Sequence, residues 1–406
     1  MKQQLSILGA TGSIGDSTLD LVRLHGDKFA VFALSGFSQT DKLLALCQEF
    51  QPKMVCVAHD DKDSFAKKIQ EVGLTVDVVS GQDGLCQIAS SPEVDKVVAG
   101  IVGAAGLSST LSAVKAGKTV LLANKESLVM AGDLVMSTAR QNGATILPID
   151  SEHNAIFQCL PKQVQQDNTS IHCTDFGIKR LWLTASGGGF LHKSYDEMKR
   201  ATPQEAVKHP NWSMGQKISI DSATMMNKGL ELIEACHLFN LSETDIQVAI
   251  HPQSIIHSMV EYVDGSLLAQ LGTPDMKVPI AHALAYPKRM TSGAVPLDLF
   301  SLSKLEFIAP DTQKFACLSL ARQAIKQGNG ATIILNAVNE VAVSAFLRGQ
   351  IALTDIAILV EQCLEHDLLG DILSAKFDEL EAIMALDSRV RVLADNLLAN
   401  EMLVKR

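Results

Sequence analysis

A Gly-rich turn near the N-terminus constrains the fold of this chain more than any other feature. Residues 5–8 form an apolar run typical of a buried strand, Gly-Ala-Thr-Gly-Ser-Ile-Gly follows at 9–15, and a helical pattern begins near Ser17. Glycines permit a tight turn and close approach of the backbone to a ligand, while the free N–H groups of the helix start attract a pyrophosphate. Such turns also occur for packing alone, but this position directly after an N-terminal strand favours a dinucleotide site.

Strand and helix patterns alternate along the first 150 residues. Apolar runs typical of buried strands recur at residues 29–34, 54–58, 76–80, 96–99, 119–123 and 145–149. The alternation predicts a parallel sheet covered by helices on both faces. Ligand sites in such sheets lie beyond the carboxyl ends of the strands, and Asn124-Lys125-Glu126 directly follows one of these ends.

The last strand of this stretch leads into Asp150-Ser151-Glu152. If the segment is extended, both carboxylates point the same way about 7 Å apart, and they repel each other unless a cation is bound. Acidic oxygen ligands with no cysteine nearby favour Mg²⁺ or Mn²⁺ over Zn²⁺. The alternative is a solvated turn with two unrelated surface acids.

A second dense polar stretch later in the chain has helical spacing. Asn227, Lys228 and Glu231 fall on one helix face. Glu231 would add a third carboxylate to the first pair, and Lys228 with Ser222 and Asn227 would donate to a phosphate. Spacing alone does not choose between Glu231 and Glu234, and a surface pair of Lys228 with Glu231 is the alternative.

The middle of the chain mixes helix and strand signals. Asp264-Gly265 between two apolar runs is a strong hairpin signal. Ser186-Gly187-Gly188-Gly189 is a candidate hinge. The loop after it carries Trp212 and Met214, which is typical either of a lid over a site or of a surface loop whose Trp212 docks into a core.

The rest of the chain is predicted to be an irregular connecting segment followed by helices. Helical patterns occur at residues 318–326, 336–347, 354–365 and 388–403. We therefore predict an α/β protein with four consecutive parts. These are a Rossmann-like nucleotide-binding domain at 1–150, an α+β catalytic domain at 151–290 with a lid at 186–216, a linker at 291–311 and a C-terminal helical domain at 312–406.

Composition excludes several classes of protein. A net charge of −10 without a dense Lys/Arg block argues against a nucleic-acid-binding protein. No secretory signal pattern and no apolar run of about 20 residues is present, so we expect a cytoplasmic protein that does not bind membranes. The eight cysteines are scattered without a C-x-x-C pair and read as reduced core residues.

Five motifs in order closely resemble the 1-deoxy-D-xylulose 5-phosphate reductoisomerases, and the resemblance covers essentially the whole chain. They are the Gly-rich turn at 9–15, Leu-Ala-Asn-Lys-Glu-Ser at 122–127, Asp-Ser-Glu-His-Asn-Ala-Ile-Phe-Gln at 150–158, His-Pro-Asn-Trp-Ser-Met-Gly at 209–215 and Met-Asn-Lys-Gly-Leu-Glu at 226–231. The resemblance implies a homodimeric enzyme of the non-mevalonate isoprenoid pathway. Such an enzyme uses NADPH and one Mg²⁺ or Mn²⁺ per site to convert a phosphorylated sugar, 1-deoxy-D-xylulose 5-phosphate, into 2-C-methyl-D-erythritol 4-phosphate.

The resemblance also implies roles for individual residues. The metal ligands would be Asp150, Glu152 and Glu231, which form the catalytic set together with Lys125. Substrate contacts would come from Lys125, Ser151, Glu152, Ser186, His209, Ser222, Asn227, Lys228 and Glu231. Cofactor contacts would come from Thr11, Gly12, Ser13, Ile14, Ser38, Gln39, Asn124, Glu126 and Gly215, and the lid would carry Trp212 and Met214.

The chain departs from the family pattern at three places. Phe37-Ser38-Gln39 stands where many members have Gly-Lys-Asn, which removes a lysine expected at the 2′-phosphate of NADPH. Gly189 replaces a common Pro at the hinge, and Tyr286 replaces a common Trp.

Two competing hypotheses use some of the same residues. One is an NADP-dependent hydroxy-acid dehydrogenase that uses a metal but performs no rearrangement. The other is a nucleotide-sensing protein, which has no need of three acids with Lys125 and Lys228.

Overall fold

The computed structural model describes residues 2–399 except 168–172, 211 and 213. The chain divides into two compact units. The first unit comprises Met1–Ser127, Val135–Asn154 and Asp275–Pro296, and the second comprises Leu128–Leu134, Ala155–Pro274 and Leu297–Arg406.

The first unit is built on a seven-stranded sheet in which every strand pair is parallel. Its strands are β1 (Gln3–Leu8), β2 (Phe29–Ser35), β3 (Met54–Val57), β4 (Asp77–Ser80), β5 (Lys96–Ala99), β6 (Thr119–Leu122) and β7 (Thr145–Pro148). They lie in the order β4-β3-β2-β1-β5-β6-β7, so the strand order reverses beside β1, where sheets of this type bind ligands. The predicted parallel sheet is confirmed.

A helix follows each of these strands. They are α1 (Ser13–Leu24), α2 (Thr40–Phe50), α3 (Lys62–Glu71), α4 (Gly81–Ser90), α5 (Leu107–Lys115), α6 (Glu126–Asn142) and α7 (Ser151–Cys159). One later helix, α13 (Lys277–Ala285), returns to this unit and packs on α1, β6 and β7. The Nζ of Lys96 donates to the carbonyl of Leu284 at 2.5 Å, at the end of α13.

The second unit contains a four-stranded mixed sheet. Its strands β8 (Ile178–Ala185), β9 (Ile246–Ile250), β10 (Ile256–Tyr262) and β11 (Leu267–Leu271) lie in the order β11-β10-β8-β9. The predicted hairpin is confirmed: β10 and β11 are antiparallel, and Gly265 in their turn has φ +88°. β11 is an edge strand.

Among the described residues, nine more helices belong to this unit. They are α8 (Lys162–Gln166), α9 (Tyr195–Lys199), α10 (Pro203–Ala206), α11 (Gln216–Ala223), α12 (Met226–Phe239), α14 (Ala316–Gln327), α15 (Asn329–Leu347), α16 (Asp355–Leu364) and α17 (Leu380–Ala399). α15 is apolar and long enough to cross a membrane, but 83% of its most apolar window is buried, as in a core helix. The four helices predicted from the C-terminal sequence are present. α15 and α17 begin seven and eight residues earlier than expected, and the predicted end near 403 lies outside the described residues.

Candidate active site

The Gly-rich turn joins β1 to α1 as predicted. Gly9 has φ +79°, in the region that favours glycine. Gly12 is exposed and is the N-cap of α1, so Ser13 and Ile14 begin the helix and their N–H groups face the turn. A Cβ at Gly15 would lie 2.3 Å from the carbonyl oxygen of Ala10, so the helix can approach the turn this closely only with glycine.

Residues after β2 lie against the same turn. The Nε2 of Gln39 donates to the carbonyl oxygen of Thr11 at 3.3 Å, and the Nζ of Lys42 donates to it at 2.9 Å. Ser38 is exposed beside them. The sequence therefore identified Gln39 as part of this region but not the contribution of Lys42.

Asn124, Lys125 and Glu126 follow β6 and are all buried. The side-chain amide of Asn124 donates to the carbonyl of Gly103 at 2.9 Å, and its oxygen accepts from the N–H of Ser127 at 2.9 Å. Asn124 thus joins the loops after β5 and β6 and fixes the backbone that positions Lys125.

A buried ion pair links Lys125 to the acidic motif. The Nζ of Lys125 lies 2.6 Å from Oδ2 of Asp150, and the two side chains are 8% and 11% exposed. His153 Nδ1 lies 3.6 Å from the other carboxylate oxygen of Asp150. Burial acts to raise the pKa of Asp150, but Lys125 and then His153 outweigh it and hold that pKa well below its ordinary value.

The expected extended geometry of the acidic motif is wrong. β7 ends at Pro148 and α7 begins at Ser151, so Asp150 precedes a helix and Glu152 lies in its first turn. The free N–H groups of a helix start favour carboxylates there: the N–H of Glu152 lies 3.3 Å from Oδ1 of Asp150, and the hydroxyl of Ser151 donates to Glu152. The site residues predicted from sequence do not include His153, although helical i,i+3 spacing from Asp150 would have revealed it.

The second polar stretch forms α12 in the second unit. Met225, with φ +63°, separates α11 from α12. Asn227 and Lys228 donate to the two carboxylate oxygens of Glu231, so the predicted helix face is confirmed. Glu231 and Lys228 are 1% and 3% exposed, which excludes the alternative of a surface pair. Glu234, one turn on, is also fully buried.

Hydrogen bonds link residues within the predicted lid segment, residues 186–216, of which 211 and 213 lie outside the described residues. The backbone N–H of Trp212 donates to Nδ1 of His209 at 3.0 Å, and Nε2 lies 2.8 Å from the hydroxyl of Ser186. Because Nδ1 accepts from the Trp212 N–H, the ring proton of His209 is on Nε2, which donates to Ser186. Burial lowers the pKa of His209. The ring of half-buried Trp212 lies 6.2 Å from that of His257, which is not among the site residues predicted from sequence.

The remaining predicted residues lie near the lid segment's ends. Met214 is half-buried, and the exposed Gly215 is the N-cap of α11. Ser222 is half-buried in α11, and its carbonyl oxygen would lie 2.7 Å from a Cβ at Gly188. Gly187 and Gly188 have φ +83° and +65°, which favour glycine at the candidate hinge.

A parallel sheet with a Gly-rich turn after its first strand, together with buried carboxylates and lysines in each unit, is typical of nucleotide-dependent oxidoreductases that use a divalent metal. Family models described as 1-deoxy-D-xylulose 5-phosphate reductoisomerase and its C-terminal domains match residues 5–132, 146–239 and 271–393. This chain belongs to the 1-deoxy-D-xylulose 5-phosphate reductoisomerase family.

Individual relatives are similar over nearly their whole length. The reductoisomerase of Psychrobacter cryohalolentis is 60% identical over 399 residues, covering 98% of this chain and 99% of the relative. A crystal structure of a DOX-P reductoisomerase with NADPH, fosmidomycin and magnesium has a TM-score of 0.96 and 61% identity, and it covers 98% of both chains. The Zymomonas mobilis enzyme with NADPH has a TM-score of 0.87 and 44% identity, covering 98% of this chain and 99% of the other.

Proposed function

We propose that this protein is the reductoisomerase that converts 1-deoxy-D-xylulose 5-phosphate into 2-C-methyl-D-erythritol 4-phosphate, with NADPH and a divalent metal, in non-mevalonate isoprenoid biosynthesis. The observation that carries the proposal is the buried Lys125–Asp150 pair at the carboxyl ends of β6 and β7. A charged pair at that edge of a parallel sheet is where a Rossmann-like enzyme presents its catalytic groups. The crystallised relative with 61% identity binds NADPH and magnesium.

The proposed metal ligands are Asp150, Glu152 and Glu231. They fit Mg²⁺ or Mn²⁺ because all three offer anionic oxygen atoms, and the neighbours of Asp150 keep its carboxylate ionised. When bound there, the metal would supply Lewis-acid polarisation of the substrate's carbonyl and hydroxyl oxygens. In the metal-free protein, Lys125 and Lys228 balance the charges of Asp150 and Glu231.

Different polar side chains transfer a proton to the substrate, orient it and bind its phosphate. Lys125 holds a proton at Nζ beside Asp150 and can pass it to an oxygen on the reacting carbon skeleton. Ser151 and Glu152 orient the substrate from the start of α7. Five more side chains contact the substrate, and several of them donate hydrogen bonds to its phosphate: Ser186, His209, Ser222, Asn227 and Lys228.

NADPH binds with its pyrophosphate at the N-terminus of α1, where Thr11, Gly12, Ser13 and Ile14 present the turn and its free N–H groups. Asn124, Glu126 and Gly215 belong to the proposed cofactor set, as do Ser38 and Gln39. NADPH supplies the hydride for the reduction. The lid segment, with Trp212 and Met214, excludes water from the reacting groups.

NADPH oxidation measured with 1-deoxy-D-xylulose 5-phosphate and Mn²⁺, with and without chelator, tests the function. We expect turnover only with metal, and a branched product by NMR. A straight-chain product would support a hydroxy-acid dehydrogenase instead. No oxidation with substrate and Mn²⁺ would favour a nucleotide-binding protein. Asp150→Asn should bind NADPH normally and lose turnover.

The proposed assembly is a homodimer that pairs through β11. This edge strand exposes Leu267, Leu268 and Leu271 by 50%, 49% and 39%, and an apolar edge strand invites pairing with another strand. Sedimentation velocity would show whether Leu268→Lys shifts the protein to monomers. The matched control is Val392→Lys, a change at a 61% exposed site on α17; an equal effect of both changes would exclude β11 as the interface.

The proposed location is the cytoplasm. Cys47, Cys56, Cys236, Cys317 and Cys363 are buried, and burial raises the pKa of each thiol to about 12. Buried, protonated thiols suit a reducing compartment, in which cysteines pack as small apolar residues.

A further inference from the structure

Lys42 of α2 is held against the Gly-rich turn by two contacts. Its Nζ donates to the carbonyl oxygen of Thr11 at 2.9 Å and lies 2.7 Å from Oδ2 of Asp16 in α1. The side chain remains 35% exposed. The ammonium is therefore placed at the turn and still open to a ligand from solvent.

The end of β2 carries the group that distinguishes the two nicotinamide cofactors in sheets of this type. An acid there binds the 2′-hydroxyl of NADH, and a cation accommodates the 2′-phosphate of NADPH. After β2 ends at Ser35, residues 36–40 contain no charged side chain. The first acid is Asp41, whose side chain is 91% exposed and pairs with Lys68 of α3 at 2.8 Å. Lys42 is the first cation.

The end of β2 and the Gly-rich turn are in direct contact. A Cβ at Gly36 would lie 2.9 Å from Cγ2 of Thr11, and Gln39 also donates to the Thr11 carbonyl. A ribose that follows a pyrophosphate from the turn toward the end of β2 would therefore meet Ser38, Gln39 and Lys42.

We propose that Lys42 binds the 2′-phosphate of NADPH and thereby sets the preference of this protein for NADPH over NADH. This inference rests on the proposed function, because that function brings NADPH to the turn. Ser38 and Gln39 can donate hydrogen bonds to the same phosphate. Lys42 therefore replaces the lysine that many family members have at position 38.

Asp16 prepares Lys42 for this contact without blocking it. An exposed carboxylate–lysine pair contributes little free energy, whereas a phosphate forms stronger charge-assisted hydrogen bonds with a lysine. Asp16 therefore orients the Lys42 ammonium in the free protein, and the 2′-phosphate dianion replaces Asp16 as its partner when NADPH binds.

Lys42→Met tests the inference, and Lys68→Met is the matched control. Both changes remove one positive charge from an exposed ion pair in the same unit; Lys68 is 41% exposed. Isothermal titration calorimetry gives the Kd of NADPH, of NADH and of 2′,5′-ADP, a probe that needs no turnover. We expect Lys42→Met to weaken NADPH and 2′,5′-ADP about tenfold, equivalent to about 1.4 kcal/mol. NADH binding should stay unchanged, and Lys68→Met should leave all three ligands unaffected.

The same titrations contain the results that would overturn the inference. If Lys42 only stabilises the turn by donating to the Thr11 carbonyl, Lys42→Met will weaken the binding of NADPH and of NADH equally. Unchanged binding of all three ligands would also refute it. Lys42→Arg, which keeps the charge, should restore most of the NADPH affinity and guards against a variant that merely misfolds. If the wild-type protein binds NADH but not NADPH, the inference and the proposed cofactor both fail. If the wild type binds NADPH and Lys42→Met binds it equally well, only the inference fails, and the proposed cofactor and reaction stand.

Discussion

The Lys125–Asp150 pair should be strongly coupled in the metal-free protein. With Nζ 2.6 Å from Oδ2, the gross Coulomb attraction at an effective dielectric constant near 20 is about 6 kcal/mol. The cost of removing water from both charges offsets much of this. Removing one partner of a buried pair nevertheless costs about 3–5 kcal/mol, because it leaves the other charge uncompensated.

A double-mutant cycle measures this coupling. Lys125→Met and Asp150→Asn should each lower the free energy of unfolding, determined by urea denaturation with chelator present. The double variant should be more stable than the sum of the two losses predicts, by at least about 2 kcal/mol. Additive losses would mean that the two charges do not stabilise each other, and the account of the site would be wrong.

The response to Mn²⁺ extends this test to the proposed metal site. In Lys125→Met the Asp150 carboxylate lacks its lysine, so a bound cation should stabilise the variant more than the wild type. Asp150→Asn should reduce the response. If Mn²⁺ stabilises Lys125→Met no more than the wild type, the metal does not bind at Asp150.

Three further predictions concern the turn, the hinge and acid stability. Gly15→Ala should cost about 3 kcal/mol by thermal unfolding, because its Cβ would lie 2.3 Å from the carbonyl oxygen of Ala10. Gly12→Ala has 3.4 Å available, so this variant should fold but bind NADPH more weakly. Lys314→Met should speed hydrogen exchange at residues 187–191, since the Nζ of Lys314 donates to the carbonyls of Phe190 and Leu191 at 2.8 and 2.9 Å. Unchanged exchange would mean that Lys314 does not hold this segment in place. Burial lowers the pKa of His282 from 6.5 to about 4, so its contribution to stability is complete above pH 6.5 and is lost as the pH falls toward 4. Between pH 6.5 and 5 the wild type should lose about 2 kcal/mol more than His282→Gln in urea denaturation; equal losses would mean that the His282 pKa is not lowered.

Local patterns were sufficient to predict most of the first unit. Each predicted strand is present within two residues of its expected bounds, because a buried parallel strand is a short apolar run that needs no information from distant residues. The Gly-rich turn is equally local. The helix face of Asn227, Lys228 and Glu231 follows from helical spacing alone.

Local patterns were not sufficient where the same residues suit more than one local structure. The motif at Asp150 was expected to be extended because it follows a strand, but the chain turns into α7 one residue later. Nothing in the apolar pattern marks this change, since Ser151 and Glu152 are polar in either structure. α15 likewise begins earlier than its sequence suggests, because packing in the core supports the helix through Gly330.

The sequence by itself determined the class of fold, the family and the residue types that the chemistry needs, because strand periodicity, glycine positions and motif spacing are local properties. Only the tertiary structure decided which of these residues meet. Lys125 reaches Asp150 because β6 and β7 are adjacent parallel strands whose carboxyl ends lie at one edge of the sheet. Lys42 reaches the Gly-rich turn because β1 and β2 are paired, which places the start of α2 beside that of α1.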